Sequence, residues 1–419
     1  MPEERVANFS AGPSALPISV LEEANKGLLN FNNTGIGIAE ISHRSKEFLA
    51  FLANLETLIR DQLHVPDTHS ILFTQGGGYG QFSAVVLNML ARHTLLHPEA
   101  EERTLDYVVT GSWSKKAAEE ARRLAAGQRG AKVNVVVDGR PYSKDAKSFD
   151  NIPADPTSYA WSTDPALIYY CDNETVDGVQ FSGDAQSPTA FPVQQLIAAA
   201  QARGAPPLLP LVADHSSSFM SRPIPHLADH AIIYAGAQKN IGPAGLTILI
   251  VRQDCLPDVD AAAALGAQPV PFSLAYKTLA DSKSVFNTPP VLPIYIAGLV
   301  LERAKTLGGV EYFKEMNGRK SAAVYGAIGE GEEKGVFRRK VQQGSESGMN
   351  VVFEVLGEGR EAEFLKGAEE RGMKGLKGHR SVGGIRASLY NAVTEEEVQK
   401  LVDYMKEFIG QGSEQEVAA

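Results

Sequence analysis

The chain has 419 residues, 43% of them hydrophobic, so it can bury a large core and is long enough for two or three domains. Its net charge of −10 and pI near 5.5 exclude the basic face of a general nucleic-acid binder. Two cysteines, Cys171 and Cys255, are too few for a disulfide framework. Both stand in or beside apolar runs and read as reduced and structural. The start, MPEERVANFS, shows neither an apolar leader core nor an Arg-rich amphipathic stretch, and no apolar run approaches a membrane span. A soluble, cytoplasmic protein is the expectation.

In chain order, residues 46–63 carry apolar side chains at 48, 52, 55, 59 and 63, which is helical spacing. SILFT then breaks into QGGGYGQ and resumes as FSAVVLNML, the pattern of strand, glycine loop and helix. The type repeats. LDYVVT leads to GSWS and a helical KKAAEEARRLAA, ALIYYC leads to DNETVDG, PLLPLVAD leads to HSSSF, and HAIIYAGAQK leads through a turn to LTILIV. Continuous apolar strands alternating with helices predict an α/β fold with a mainly parallel sheet covered on both faces, whose ligands bind at the carboxyl ends of the strands. Beyond about residue 290 the pattern changes. A long connecting helix (PPVLPIYIAGLVLERAKTLGG) precedes the strand GMNVVFEVLG, the helix EAEFLKGAEERG, the strand GGIRASLY and the helix TEEEVQKLVDYMKEFI. This predicts a smaller α+β domain that closes over the first. Thr394 with Glu397 makes a capping box. The polar tail GQGSEQEVAA is expected to fray, and segments 93–104 and 203–210 read as surface insertions.

The unusual residues gather at the predicted strand ends. Lys239 lies in a loop between two apolar strands. An amine that loses its proton through burial is a nucleophile and forms a Schiff base with an aldehyde cofactor, although most loop lysines are simply solvated. Asp214 ends PLLPLVAD, one strand–helix–strand step earlier. It can hold a pyridine nitrogen protonated or, more plainly, cap a turn. QGGGYGQ opens a helix whose N–H groups suit a phosphate. It is neither a P-loop nor a good dinucleotide fingerprint, and a tight turn would also explain it. Trp113 offers a flat face or core packing, and Thr175 a hydroxyl or a turn cap. His43 with Arg44, and His379 with Arg380 followed by Arg386, could grip two anionic groups in an acidic protein, which suggests a small polyanionic substrate. The nine histidines show no HExxH or other metal-ligand spacing, so no metal is expected.

Taken together, NFSAGPSALP, ISHRSKEF, GGGYGQF, GSWS, DNETVDG, VADHSSSF, GAQKNIGPAG, NTPP and HRSVGGIRASLYNA resemble the phosphoserine aminotransferases over residues 7–408. The resemblance implies a fold-type I, pyridoxal 5'-phosphate-dependent transferase. Its large domain, residues 15–290, would hold a mainly parallel seven-stranded sheet. Residues 291–419, with 1–14, would form the small domain. Lys239 would hold the cofactor covalently and shuttle the Cα proton. Asp214 would pair with the pyridinium, and Trp113 would stack on the ring. Gly78, Tyr79 and Gln238 would contact the cofactor phosphate, and Thr175 would hydrogen-bond the cofactor. Asn287 and Thr288 would reach the cofactor of the neighbouring subunit in a homodimer. Arg386 would take the substrate α-carboxylate, and His43, Arg44, His379 and Arg380 its phosphate or the glutamate side chain. The substrates implied are glutamate and 3-phosphohydroxypyruvate, giving 2-oxoglutarate and O-phosphoserine on the route to serine. Many members of the family carry Arg where this chain has Tyr79, which leaves the backbone N–H but removes a cation. A desulfurase would need a mobile cysteine, an alanine–glyoxylate enzyme would not need two His-Arg pairs, and a nucleotide-binding scaffold would not need Lys239.

Overall fold

The computed structural model describes residues 5–204 and 208–417. Its strands are β1 (Ala7–Asn8), β2 (His69–Thr74), β3 (Arg103–Val109), β4 (Ala131–Asp138), β5 (Pro165–Cys171), β6 (Asn173–Glu174), β7 (Val179–Gln180), β8 (Leu211–Asp214), β9 (Ile232–Gly236), β10 (Thr247–Arg252), β11 (Phe337–Arg339), β12 (Asn350–Val355), β13 (Met373–Lys374) and β14 (Ile385–Ser388). The helices are α1 (Ile18–Leu29), α2 (Lys46–Leu63), α3 (Gly77–Leu96), α4 (Ser112–Ala125), α5 (Val193–Ala202), α6 (Val259–Ala264), α7 (Tyr276–Asp281), α8 (Val291–Leu307), α9 (Gly309–Glu333), α10 (Arg360–Glu370) and α11 (Glu395–Val417).

Seven strands form one sheet in the order β2-β10-β9-β8-β5-β3-β4. It is parallel except for β10, which runs antiparallel to both neighbours. Alternate residues face two separate cores, the signature of a sheet buried on both sides. Tyr170, Leu211, Ala213 and Ile233 lie in one, and Tyr169, Val212, Ile232 and Tyr234 in the other. Because β10 runs backwards, its first residue, Thr247, pairs with Thr74 and Gly236 at the edge where the parallel strands end. Turns and helix starts therefore converge on one rim.

Local chemistry sets the helix limits. The apolar spacing of α2 buries Phe48, Leu52, Leu55, Ile59 and Leu63, the Ser45 hydroxyl accepts from the Phe48 N–H (3.2 Å), and His64 closes the helix in the left-handed region. The Thr394 and Glu397 side chains each accept from the other's backbone N–H, at 3.2 and 2.9 Å, as a capping box requires.

A second sheet, β11-β12-β14, packs with α9, α10 and α11 around Phe337, Phe353, Phe364 and Phe408. This core also takes in Ala7 and Phe9, because β1 pairs with β13. Ile294, Ala297 and Leu301 of α8 instead join a core of the large sheet. The chain breaks at Gly308 (φ +109°), and we propose that residue, rather than 290, as the boundary between the two parts.

Several expectations change. No α-helix joins β8 to β9; the connection holds only a short 3-10 turn, Leu227–Asp229, so Asp214 and Lys239 come from adjacent strands without a crossover helix. Strand β4 and helix α9 had not been anticipated. Helix α9 runs through Gly318, Gly326 and Gly329, each costing about 1 kcal/mol of helix propensity, and it is held by packing of Phe313, Val324 and Ile328. Segment 93–104 is no free insertion; it is the last turn of α3, a short turn and the start of β3. Of segment 203–210, residues 205–207 lie outside the described residues. The tail continues α11 to Val417 rather than fraying after residue 409.

Candidate active site

At the carboxyl rim a cavity of about 250 Å³ is walled by the glycines 76–78, Tyr79, Trp113, Thr175, Asp214, Gln238 and Lys239. They come from five strand ends or helix starts of the large sheet or the loops that follow: the β2–α3 turn, the start of α4, the loops after β5 and β9, and the end of β8. Tertiary folding has collected residues spread over more than 160 positions.

Lys239 follows β9. Its Nζ donates to the carbonyl of Ala11 in the N-terminal segment. Burial lowers its pKa to about 8, and the Arg386 charge pushes the same way; Asp214 and Cys171 oppose them. The N-terminal segment fits tightly over this amine. A Cβ at Gly12 would stand 2.8 Å from the Lys239 Cδ, and Gly12 has φ +127°, so glycine is required twice over. Ser14 N–H donates to the Gln238 carbonyl (3.1 Å), and the Tyr390 hydroxyl donates to that of Ala11 (2.9 Å).

Asp214 ends β8, in register with Cys171 and Tyr234. One carboxylate oxygen accepts from the Ser216 N–H (2.8 Å), the turn-capping role considered from sequence; the other faces Gly78. Burial raises its pKa, opposed by the Ser216 hydrogen bonds and by Lys239. A cation brought to this carboxylate restores its charge.

Gly76 (φ +99°) turns the chain from β2 into α3. The Gly77 N–H donates to the Thr247 hydroxyl (2.8 Å). The N–H groups of Gly78 and Tyr79 have no carbonyl one turn back, and with the helix dipole they make an anion cup. The Tyr79 ring, 60% exposed, meets the Trp113 ring edge-on with centroids 5.7 Å apart. Lys116 Nζ sits 4.4 Å from the indole centroid.

Trp113 owes its place to residues that the sequence reading did not single out. The Glu174 carboxylate accepts from the N–H groups of Trp113 (2.7 Å) and Ser114 (2.8 Å), and Asp177 accepts from Ser112 (2.7 Å). Burial pushes both carboxyls above the usual range, and Asp177 adds to the push on Glu174. Two acids in DNETVDG facing a helix start were the available signal. Thr175 donates to the Ser217 hydroxyl (2.9 Å), and Asn173 donates to the same oxygen (2.7 Å).

The predicted anion-binding residues divide. Arg386 on β14 donates to the Thr175 carbonyl (3.3 Å), while its Nε is buried without a partner among the described residues. His379 feels the charges of Arg386, Lys116 and Arg380, all of which lower its pKa after burial does, and its Nδ1 lies 2.6 Å from the Ser381 hydroxyl. Arg380 is exposed beside it. His43 and Arg44 lie in the loop before α2; none of the five, Arg386, His379 and Arg380 included, walls the cavity itself. Asn287 and Thr288 are exposed; the Thr288 carbonyl accepts from Gln75, next to the glycine turn (3.5 Å).

Residues 6–401 match the family model for class-V aminotransferases. The chain is 42% identical to a probable phosphoserine aminotransferase of Caenorhabditis elegans, covering 96% of this chain and 97% of that one. It is 41% identical to the phosphoserine aminotransferase of Paraburkholderia phytofirmans, covering 96% and 98%. Among solved structures, a phosphoserine aminotransferase from Bacillus circulans subsp. alkalophilus superposes with a TM-score of 0.82 at 34% identity, covering 98% and 99%. A PLP-bound phosphoserine aminotransferase from Trichomonas vaginalis gives 0.80 at 33%, covering 96% and 100%.

Proposed function

We infer, for a chain that belongs to the class-V aminotransferases and within them to the phosphoserine aminotransferases, that it moves the amino group of L-glutamate to 3-phosphohydroxypyruvate. The products are O-phospho-L-serine and 2-oxoglutarate, and the reaction serves L-serine biosynthesis. The observation that carries this reading is a partly buried lysine of lowered pKa sharing one cavity with a buried carboxylate and a glycine-started helix.

The residues fit pyridoxal 5'-phosphate on their own chemistry. Lys239 offers the amine, Gly78 and Tyr79 two N–H groups for a phosphate, Asp214 a carboxylate for a protonated ring nitrogen, and Trp113 a flat face. Thr175 and Gln238 add polar contacts. Bound there, the cofactor supplies an electron sink that makes a substrate Cα proton labile. Asp214 keeps that sink effective by holding positive charge at its end of the cavity. With a pKa near 8, roughly a tenth of Lys239 is the free base at pH 7, ready to take the proton from Cα and return it. Gly12, Ser14 and Tyr390 hold the segment that keeps water from the amine. Arg386, with its Nε unpaired, receives the substrate α-carboxylate, and His379 and Arg380 receive its phosphate or the γ-carboxylate of glutamate.

We assign the working unit as a homodimer in the cytoplasm. In support, Arg44, Asn287 and Thr288 are exposed, where a second copy can use them. Near Asn287 the rings of Phe272 and Phe286 pair at 6.0 Å while 62% and 45% exposed, a surface suited to burial against another chain.

The test is the visible spectrum of the purified protein, alone, with O-phosphoserine and separately with glutamate. A yellow band bleached by both is expected. A band that ignores phosphoserine would keep the cofactor and reassign the substrate. A chain that stays colourless with pyridoxal phosphate would overturn the reading. Sedimentation at micromolar concentration checks the dimer, and a monomer retaining full turnover would remove it.

A further inference from the structure

The expectation that the histidines show no metal-ligand spacing needs correcting. HTLLH places His93 and His97 one helical turn apart at the end of α3, and the chain brings Asp164, in the turn before β5, to the same point. One ligand atom from each lies within 4.8 Å of the other two. The imidazole centroids of His93 and His97 are 4.8 Å apart. His93 is 4% exposed, and neither of its ring nitrogens has a hydrogen-bond partner among the described residues. A buried imidazole with both nitrogens unsatisfied is costly unless something else bonds it. His97 and Asp164 are exposed, so an ion can reach the cluster from solvent.

We propose that His93, His97 and Asp164 form a divalent transition-metal site, with zinc as the ion that best suits two imidazoles and one carboxylate. Tetrahedral zinc keeps its ligand atoms about 3.3 Å apart, so atoms now within 4.8 Å of one another must close by up to about 1.5 Å. The nearby cations are already engaged. Arg103 donates to the carbonyl of Ala100 (2.8 Å) and to the Thr94 hydroxyl (3.2 Å), and Arg92 pairs with Asp254 (2.5 Å). The ion would tie the end of α3 to the start of β5. The cofactor cavity lies at the opposite end of the same helix, about 30 Å away at 1.5 Å per residue, so the site is structural and separate from the transamination.

The experiment uses the holoenzyme, dialysed against a chelator and titrated with zinc chloride by calorimetry, with metal analysis of the product. One zinc per chain and a higher melting temperature are expected. His97→Ala changes an exposed residue outside the active site and should keep the cofactor absorption and turnover. It should weaken zinc binding by about 100-fold or more, since even an outer-sphere partner is worth 10–100-fold. Asp164→Asn should weaken it less. Binding unchanged by His97→Ala would place the zinc elsewhere and overturn the proposal, as would a wild-type chain that takes up no zinc at micromolar concentration.

Discussion

Lys320 is fully buried and Lys239 partly so at the wall of the cavity, and desolvation lowers the pKa of both, to about 7 and about 8. Their surroundings differ in everything else. Lys320, on α9, donates to the carbonyls of Leu389 (2.9 Å), Tyr390 (2.9 Å) and Val393 (2.8 Å). Three acceptors need three donors, which only the ammonium has, so these bonds hold the proton against the pull of burial. Among the described residues the Lys239 amine has a single carbonyl partner; it faces a cavity and lies within reach of the Arg386 and Asp214 charges. A lowered pKa therefore does not mark a reactive amine by itself. What separates the two is whether the surroundings finish the hydrogen bonding or leave it open toward a space a ligand can fill.

Four variants press on that difference. Lys239→Ala should fold normally and lose turnover by roughly 10⁴-fold, the upper range for a positioned proton-transfer group. Steady-state rates beside a melting curve decide this, and substantial residual activity would sink the assignment. Asp214→Asn should reduce kcat by roughly 10²- to 10³-fold, as for loss of one preorganised electrostatic group, with the cofactor still bound by absorbance. Lys320→Met should do the reverse. It takes the donor from the buried Leu389 and Val393 carbonyls and leaves that of Tyr390 with the Val393 N–H alone (2.9 Å), at a cost of roughly 2 kcal/mol or more in urea unfolding, while the folded fraction keeps its kcat. If Lys320→Met abolished turnover and left stability unchanged, the contrast between the two lysines would collapse.

Arg386→Gln has the smallest expected effect. Losing one charged carboxylate contact should lower kcat/KM by roughly 10- to 100-fold. It also tests the electrostatics. Lys239 is protonated below its pKa, so cofactor association with the cofactor-free chain should speed up as pH rises through about 8. Arg386 pushes that pKa down, so its removal should move the rise to higher pH. A pH profile that does not move would mean burial alone sets the Lys239 pKa.

What the sequence determined by itself follows from local rules. The apolar period placed α2 at residues 46–63, continuous apolar runs gave the buried parallel strands, and the Thr394–Glu397 box marked a helix start. Lys239, Asp214, Trp113, Thr175 and the glycine loop each had an ordinary structural explanation alone and stood out only by gathering at strand ends; the family resemblance added the roles of Gly78, Tyr79 and Gln238, and the structure brings all seven around one cavity. Other features were decided in three dimensions. Glycine-rich α9 reads as a poor helix and exists because its side chains are packed. The acids Glu174 and Asp177 look like ordinary loop residues until the start of α4 is set against them. Asp214 and Lys239 meet through adjacent strands with no intervening α-helix, which no periodicity signals. His93 and His97 lacked a visible third ligand, because Asp164 lies 67 positions further along the chain. Hydrophobic period and cap chemistry act over a few residues and can be read from a line of text, whereas burial, charge coupling and the closing of a ligand set depend on which distant residues the fold makes neighbours.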